Sequence, residues 1–195
     1  MTLTPARSTL RGMAQTLWQS RTASLLARMD RLELQSCRRF NAAVHRVGAR
    51  RLFQAASRLG DGVAWYALVA SLPLLFGPAG LQASLRMAVA GVAGLLLYRY
   101  LKRTFVRERP FITHATITLA GRPLDRFSFP SGHTLHAVSF TTIAVADFPV
   151  LAPVLLPFAL LVALSRVVLG LHYPSDVLVG GLIGSALAAS ALAVG

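Results

Sequence analysis

The sequence predicts an all-α fold: a multi-pass membrane helical bundle of about five transmembrane helices, preceded by a basic amphipathic helical region. Three observations carry this. Of 195 residues, 54% are hydrophobic and only 14% are charged, against about 25% charged in soluble domains. Mean hydropathy is +0.57. Beyond residue 61 the apolar residues gather into runs of about the length that crosses a hydrocarbon core of roughly 30 Å. The same composition excludes a disordered chain and a collagen-like repeat.

The first element is basic. Residues 1–60 hold Arg7, Arg11, Arg21, Arg28, Arg31, Arg38, Arg39, Arg46, Arg50, Arg51 and Arg58 against only Asp30 and Glu33. Leu17, Leu25, Met29, Leu32, Phe40, Val44, Val47 and Leu52 recur at helical spacing. A basic helix with one apolar face lies on a membrane surface. The net charge of +13 therefore points to lipid headgroups, and no nucleic-acid partner is expected. No early apolar run marks a secretory signal, while the Arg- and Ser-rich, acid-free stretch 1–29 also fits an organellar transit peptide. Cys37 is the single cysteine, so no intramolecular disulfide can form.

Residues 61–195 form the second, membrane-embedded unit. Residues 63–81 make the first apolar run, ended by the turn signal Gly77-Pro78-Ala79-Gly80. Residues 84–101 make the second, with Arg86 and Arg99 near its ends, where they can snorkel. The polar stretch 102–130 follows, then apolar runs at 131–147, 150–165 and 176–195, with Asp147-Phe148-Pro149 breaking the third from the fourth. Pro149, Pro153 and Pro157 recur every four residues, so any kink lies on one face.

Five crossings place the N-terminal region, the 102–130 loop and the 166–175 loop on one side. That side carries Lys102, Arg103, Arg107, Arg109, Arg122, Arg126 and Arg166, whereas the opposite loops carry no Lys or Arg. The positive-inside rule puts the charged side in the cytoplasm.

Three segments on this side carry chemistry: Lys102 to Pro110, Phe129-Pro130-Ser131-Gly132-His133, and Ser165-Arg166 to His172 and Asp176. Lys and Arg converging with backbone N–H groups suit a phosphoryl oxyanion. Pro130 and Pro174 fit the first turn of a following helix. Ser131-Gly132 and the loop ending at His172 then stand at helix N-termini, which attract phosphate. Gly132 lets a backbone approach closely. Two histidines divide the remaining work, one attacking phosphorus and the other protonating the leaving alkoxide. Asp176, four residues after His172, can accept from one ring nitrogen and leave the other free. Arg103, Arg107, Arg122 and Arg126 read as snorkelling anchors, and His45, His114 and His136 as structural residues. A metal held by His133, His172 and Asp176 is conceivable, but no Cys cluster or H-x-x-x-H spacing supports it. Ser131 lacks the Gly-x-Ser-x-Gly setting of a nucleophile.

The pattern K-x6-RP, then PSGH, then SR-x5-H-x3-D resembles the signature of the type 2 phosphatidic acid phosphatase (PAP2) superfamily, complete and in order over residues 102–176. The resemblance implies that His172 is the nucleophile forming a phosphohistidine, oriented by Asp176. It implies that His133 is the general acid and then the base that activates water. Lys102, Arg109, Ser131, Gly132 and Arg166 would hold the phosphate, with no metal and no cofactor. Family members in bacterial membranes commonly face the periplasm, which conflicts with the charge count. The expected function is hydrolysis of a membrane lipid phosphate monoester or pyrophosphate, such as phosphatidic acid, phosphatidylglycerol phosphate, a polyprenyl diphosphate including undecaprenyl diphosphate, or a lipid A or sphingoid phosphate. A non-catalytic binder of anionic lipids and a vanadate-dependent oxidase are the rival readings.

Overall fold

The computed structural model describes residues 28–194. Expectations for residues 1–27, including the surface-helix contacts of Leu17 and Leu25, lie outside the described residues. Residues 28–41 are helical (α1), and a short 3-10 turn at Ala42–His45 leads into α2 (Val47–Gly60). Then come α3 (Val63–Thr104), α4 (Pro110–Thr113), α5 (Gly132–Asp147), α6 (Ala152–Val168) and α7 (Pro174–Ala193). Among the described residues no strand forms, only an isolated bridge between Glu108 and Phe127.

The turn expected at Gly77 breaks α3. Gly77 takes φ 59° and ψ −135°, a left-handed conformation that favours glycine. The chain reverses there, and Ser84 Oγ donates to the Val69 carbonyl at 2.8 Å across the two arms. Both of the first two expected runs therefore sit in this one 42-residue stretch. By length and apolar composition it can cross a bilayer, as can Pro149–Val168 and Pro174–Ala193. The third expected run is α5, which at 16 residues falls short of the roughly 20 that span a hydrocarbon core.

The chain is an integral membrane protein, and its helices carry their apolar residues outward as well as inward. Leu74, Val89, Leu96, Val154, Leu178 and Leu182 are all exposed, a surface that water would penalise and lipid accepts. Inside, Leu72, Met87, Ile143 and Ala188 are fully buried between α3, α5 and α7. Small residues bring α7 close to α5: a Cβ on Gly180 would meet the Ser131 carbonyl at 2.5 Å, and one on Gly184 the Leu135 carbonyl at 2.4 Å.

Arg86, expected to snorkel, instead pairs with Asp147 at 3.0 Å and ties α3 to the C-terminal end of α5. At the opposite end, α1 and α2 are packed into the loops. Asn41 is buried, donates to the carbonyls of Thr118 and Val168, and accepts from the Thr118 amide. Gln54 donates to the Ala120 carbonyl at 2.7 Å. Cys37 is buried in this same packing, and burial, with Glu33 and Asp176 nearby, pushes its thiol up to about 12.

Candidate active site

Lys102 lies in the last turn of α3, where its side chain is buried. Arg109 caps the four-residue α4, which begins with Pro110. Ser131 is the N-cap of α5 and accepts from the Thr134 amide, so Gly132 opens the helix and His133 occupies its first turn. Pro130 therefore precedes the cap instead of filling the first turn as the sequence predicts. Its peptide with Phe129 is cis.

The third segment is built by the end of α6. Gly170 has φ 76°, which lets the chain fold back so that the amides of Leu171 and His172 both donate to the Arg166 carbonyl at 3.0 Å. Pro174 then starts α7, as expected, and Asp176 Oδ2 accepts from the Tyr173 amide at 2.8 Å. Arg166 and His172 are thus fixed to one another through backbone before any side chain meets.

These residues converge at one end of the bundle. Arg109 Nη1 stands 3.1 Å from His172 Nε2 and also donates to the Leu171 carbonyl at 2.8 Å. Because a guanidinium only donates, His172 Nε2 is the accepting nitrogen and Nδ1 carries the proton. Asp176 Oδ2 lies 3.7 Å from that Nδ1, longer than the hydrogen bond the i, i+4 spacing predicts. Asp176 is instead engaged by Arg107 Nη1 at 2.9 Å as well as by the Tyr173 amide. Those two donors hold the carboxylate back from the ring.

His172 is 2% exposed. Burial, followed by the charges of Arg166, Arg109, Lys102 and His133, holds its imidazole well below the usual histidine range. It is therefore neutral at pH 7, the form in which a ring nitrogen can attack. Arg166 is 1% exposed, and neither its Nε nor His172 Nδ1 has a hydrogen-bond partner among the described residues. Buried polar atoms without partners are rare, and here two of them belong to groups that suit a phosphate site.

Gly132 is overlaid by Tyr98, whose ring a Cβ would meet at 2.8 Å. Ser131 Oγ is turned to Thr134 Oγ1 at 2.9 Å and meets no histidine among the described residues. Among the described residues no three His, Cys, Asp or Glu side chains gather as a metal group.

Several residues in this cluster lie outside the three sequence motifs. Asp125 takes Lys102, Arg109 Nη2 and the Tyr98 hydroxyl together. Its burial raises its carboxyl, but Lys102 and Arg109 outweigh that and bring it below the usual range. Asp61, at the turn after α2, contacts His133. Ser57 of α2 contacts Arg166 at 2.5 Å. Arg107 is not a snorkelling anchor: it bridges Glu33 of α1, Ser175 and Asp176, and lies 3.9 Å over the Tyr173 ring. Arg126, by contrast, is an exposed partner of Glu108. His136 holds the Gly132 and Gly91 carbonyls, a structural role. One signal was available for Asp125, since it is a lone acid within the basic 109–126 stretch.

A cavity of about 490 Å³ opens beside this cluster. Asp61 and His133 line it together with Trp65, Val69, Met87 and Phe140, so a polar end joins an apolar trough between helices.

The PAP2 superfamily profile matches residues 81–194. The chain is 34% identical over 114 residues to undecaprenyl-diphosphatase BcrC of Bacillus subtilis, covering 58% of each protein. It is 33% identical over 133 residues to decaprenylphosphoryl-5-phosphoribose phosphatase of Mycolicibacterium smegmatis, covering 68% of this chain and 69% of that one. The chain thus matches little more than half the length of the Bacillus relative. In structure it resembles LpxE of Aquifex aeolicus, with a TM-score of 0.68 and 27% identity over 83% of this chain and 94% of that one.

Proposed function

The chain belongs to the PAP2 superfamily, and from that premise we propose that it is a membrane phosphatase hydrolysing a lipid phosphate monoester or pyrophosphate through a phosphohistidine on His172. The observation that carries the reading is a buried, neutral His172 whose accepting Nε2 faces Arg109, with Lys102 and Arg166 close enough to act on the same ring.

In this reading the phosphate oxygens take up donors from Lys102, Arg109 and Arg166 and the amides at the start of α5. Arg109 Nη1 turns from His172 Nε2 to an oxygen, which frees the nitrogen lone pair. Nε2 attacks phosphorus and forms the P–N bond. The P–O bond to the leaving group breaks, its electron pair stays on oxygen, and that oxygen takes the proton of His133. Water then gives a proton to His133 and its oxygen to phosphorus, while the P–N electrons return to Nε2 and phosphate leaves. The Nδ1 proton of His172 faces Asp176, whose negative charge supports the ring as it becomes positive. Three buried cations facing one centre stabilise charge that grows on the phosphoryl oxygens.

The apolar part of the cavity accommodates the first stretch of a lipid tail while the head meets the cations. Relatives named for undecaprenyl and decaprenyl-linked phosphates make a polyprenyl phosphate or diphosphate the first tail chemistry to test, beside phosphatidic acid. The charge count favours a cytoplasmic site. Phosphate release from a panel of these lipids, measured in detergent with EDTA present, tests the proposal. Wild type releases phosphate from at least one of them and orthovanadate inhibits it. Inactivity on every lipid would refute the reading.

A further inference from the structure

Helix α2 ends against the catalytic cluster although it lies well ahead of residue 81, where the family match begins. Two contacts are made there. Ser57 is buried, and its Oγ accepts from Arg166 Nη1 at 2.5 Å. Asp61, the residue after Gly60, meets His133 Nε2 with its Oδ1. The end of the helix is seated, not loosely placed: Gly60 is buried, and a Cβ on it would meet Val162 Cγ1 of α6 at 2.8 Å.

Resting on the phosphatase reading above, we propose that the end of α2 is part of the active site, with Asp61 a positioning residue for His133 and Ser57 one for Arg166. The charge arrangement around His133 supports this. Burial, then Arg166 from α6 and Arg109 from the 105–109 segment, disfavour a positive ring, while Asp61 from the α2–α3 turn is a hydrogen-bonded carboxylate that opposes them. Tyr66, Tyr98 and His136 line the same cavity, and His172 lies close enough to feel the His133 charge. Asp61 is itself ionised. Burial raises its carboxyl, but the His133 hydrogen bond and the charges of His133, Arg166 and Arg122 together bring it below the usual range.

A general acid must hold its proton until the P–O bond breaks and must then give it to the leaving oxygen. Asp61 supports the imidazolium on which that transfer depends. Ser57 has a different task, because Arg166 is buried and its Nε lacks a partner among the described residues. A hydroxyl on Nη1 fixes the plane of the guanidinium and so aims Nε.

The test uses two probes, dodecyl phosphate and p-nitrophenyl phosphate, on the full chain in detergent. The nitrophenolate leaves without a proton, whereas the dodecyl alkoxide needs one. Asp61→Asn is expected to lower kcat roughly tenfold more on dodecyl phosphate than on p-nitrophenyl phosphate, and to move the pH profile of the first substrate more than that of the second. Asp61→Glu, which keeps the charge, restores part of the difference. The ratio is taken within one preparation, so any loss of folded enzyme cancels. Equal losses on the two substrates, or no loss, would overturn the role of Asp61. Ser57→Ala should weaken inhibition by orthovanadate several-fold with a smaller change in kcat, and unchanged inhibition would overturn the role of Ser57. Wild type inactive on both probes would refute the phosphatase reading itself, and the proposal with it.

Discussion

Asp125 holds Lys102 with both of its oxygens, Nζ lying 2.6 Å from Oδ1 and 2.5 Å from Oδ2, while Arg109 Nη2 reaches the same Oδ1 at 2.9 Å. A carboxylate thus sits on two of the cations proposed to hold phosphate. Its side chain is 33% exposed, so it can give way to a ligand. Lys102, the only lysine in the chain, is a compact point charge in a buried position, where an arginine would bring a larger planar group.

Asp125→Asn is therefore expected to tighten inhibition by orthovanadate several-fold, because two cations lose the carboxylate that competes for them. Thermal stability should fall at the same time, since Lys102 and Arg109 are buried and lose their counter-charge. Inhibition and melting curves on one preparation check both. Weaker vanadate inhibition would show that Asp125 orients the cations instead of competing for them.

Asp176 serves two ends at once: it faces His172, and it anchors Arg107 and the Tyr173 amide at the start of α7. Asp176→Asn keeps an acceptor for the amide but removes the charge. The expected outcome is a kcat loss of at least about 100-fold. A stability loss of about 2 kcal/mol should accompany it, below the usual cost of breaking a buried pair because Arg107 is part-exposed. Arg107→Gln should give the stability loss with a much smaller drop in kcat. Equal kcat losses in the two variants would mean that Asp176 works only as a structural anchor.

The neutral state of His172 has a consequence for stability. Its folded pKa lies well below the ordinary value, so below about pH 6.5 the unfolded chain takes up a proton that the folded chain refuses. Stability from this group is complete above about pH 6.5 and is lost as the pH falls below it. Wild type should therefore lose more melting temperature between pH 7.5 and 5 than His172→Asn does, with the two compared in the same detergent. Parallel curves would contradict the burial-driven shift.

Much of the candidate cluster's geometry was legible because its residues lie at short, fixed spacings around helix ends. Lys102 and Arg109 bracket the end of α3, Ser131 to His133 open α5, and Arg166, His172 and Asp176 flank the α6–α7 turn. The Gly77 turn was legible too, since glycine followed by proline has few other uses. Helix ends resolved less well: Pro130 precedes its cap instead of following it. What the sequence hid is long-range. Asp61 meets His133 across 72 residues, Ser57 meets Arg166 across 109, and Arg107 meets Glu33 across 74. No periodicity encodes such pairs, and the packing of α1 and α2 into the loops creates them. The basic charge of that region reads as a lipid-facing surface, while its few polar and acidic side chains reach inward.

In the proposed reaction phosphate passes through His172. Rapid quench of the full chain with a radiolabelled lipid phosphate, chosen from the panel as a substrate of wild type, traps that intermediate. An acid-labile, base-stable label is expected on the peptide carrying His172, accumulating before steady state and absent from His172→Ala. A His172→Ala enzyme that still turns over at the wild-type rate, or label found only on another side chain, would contradict it.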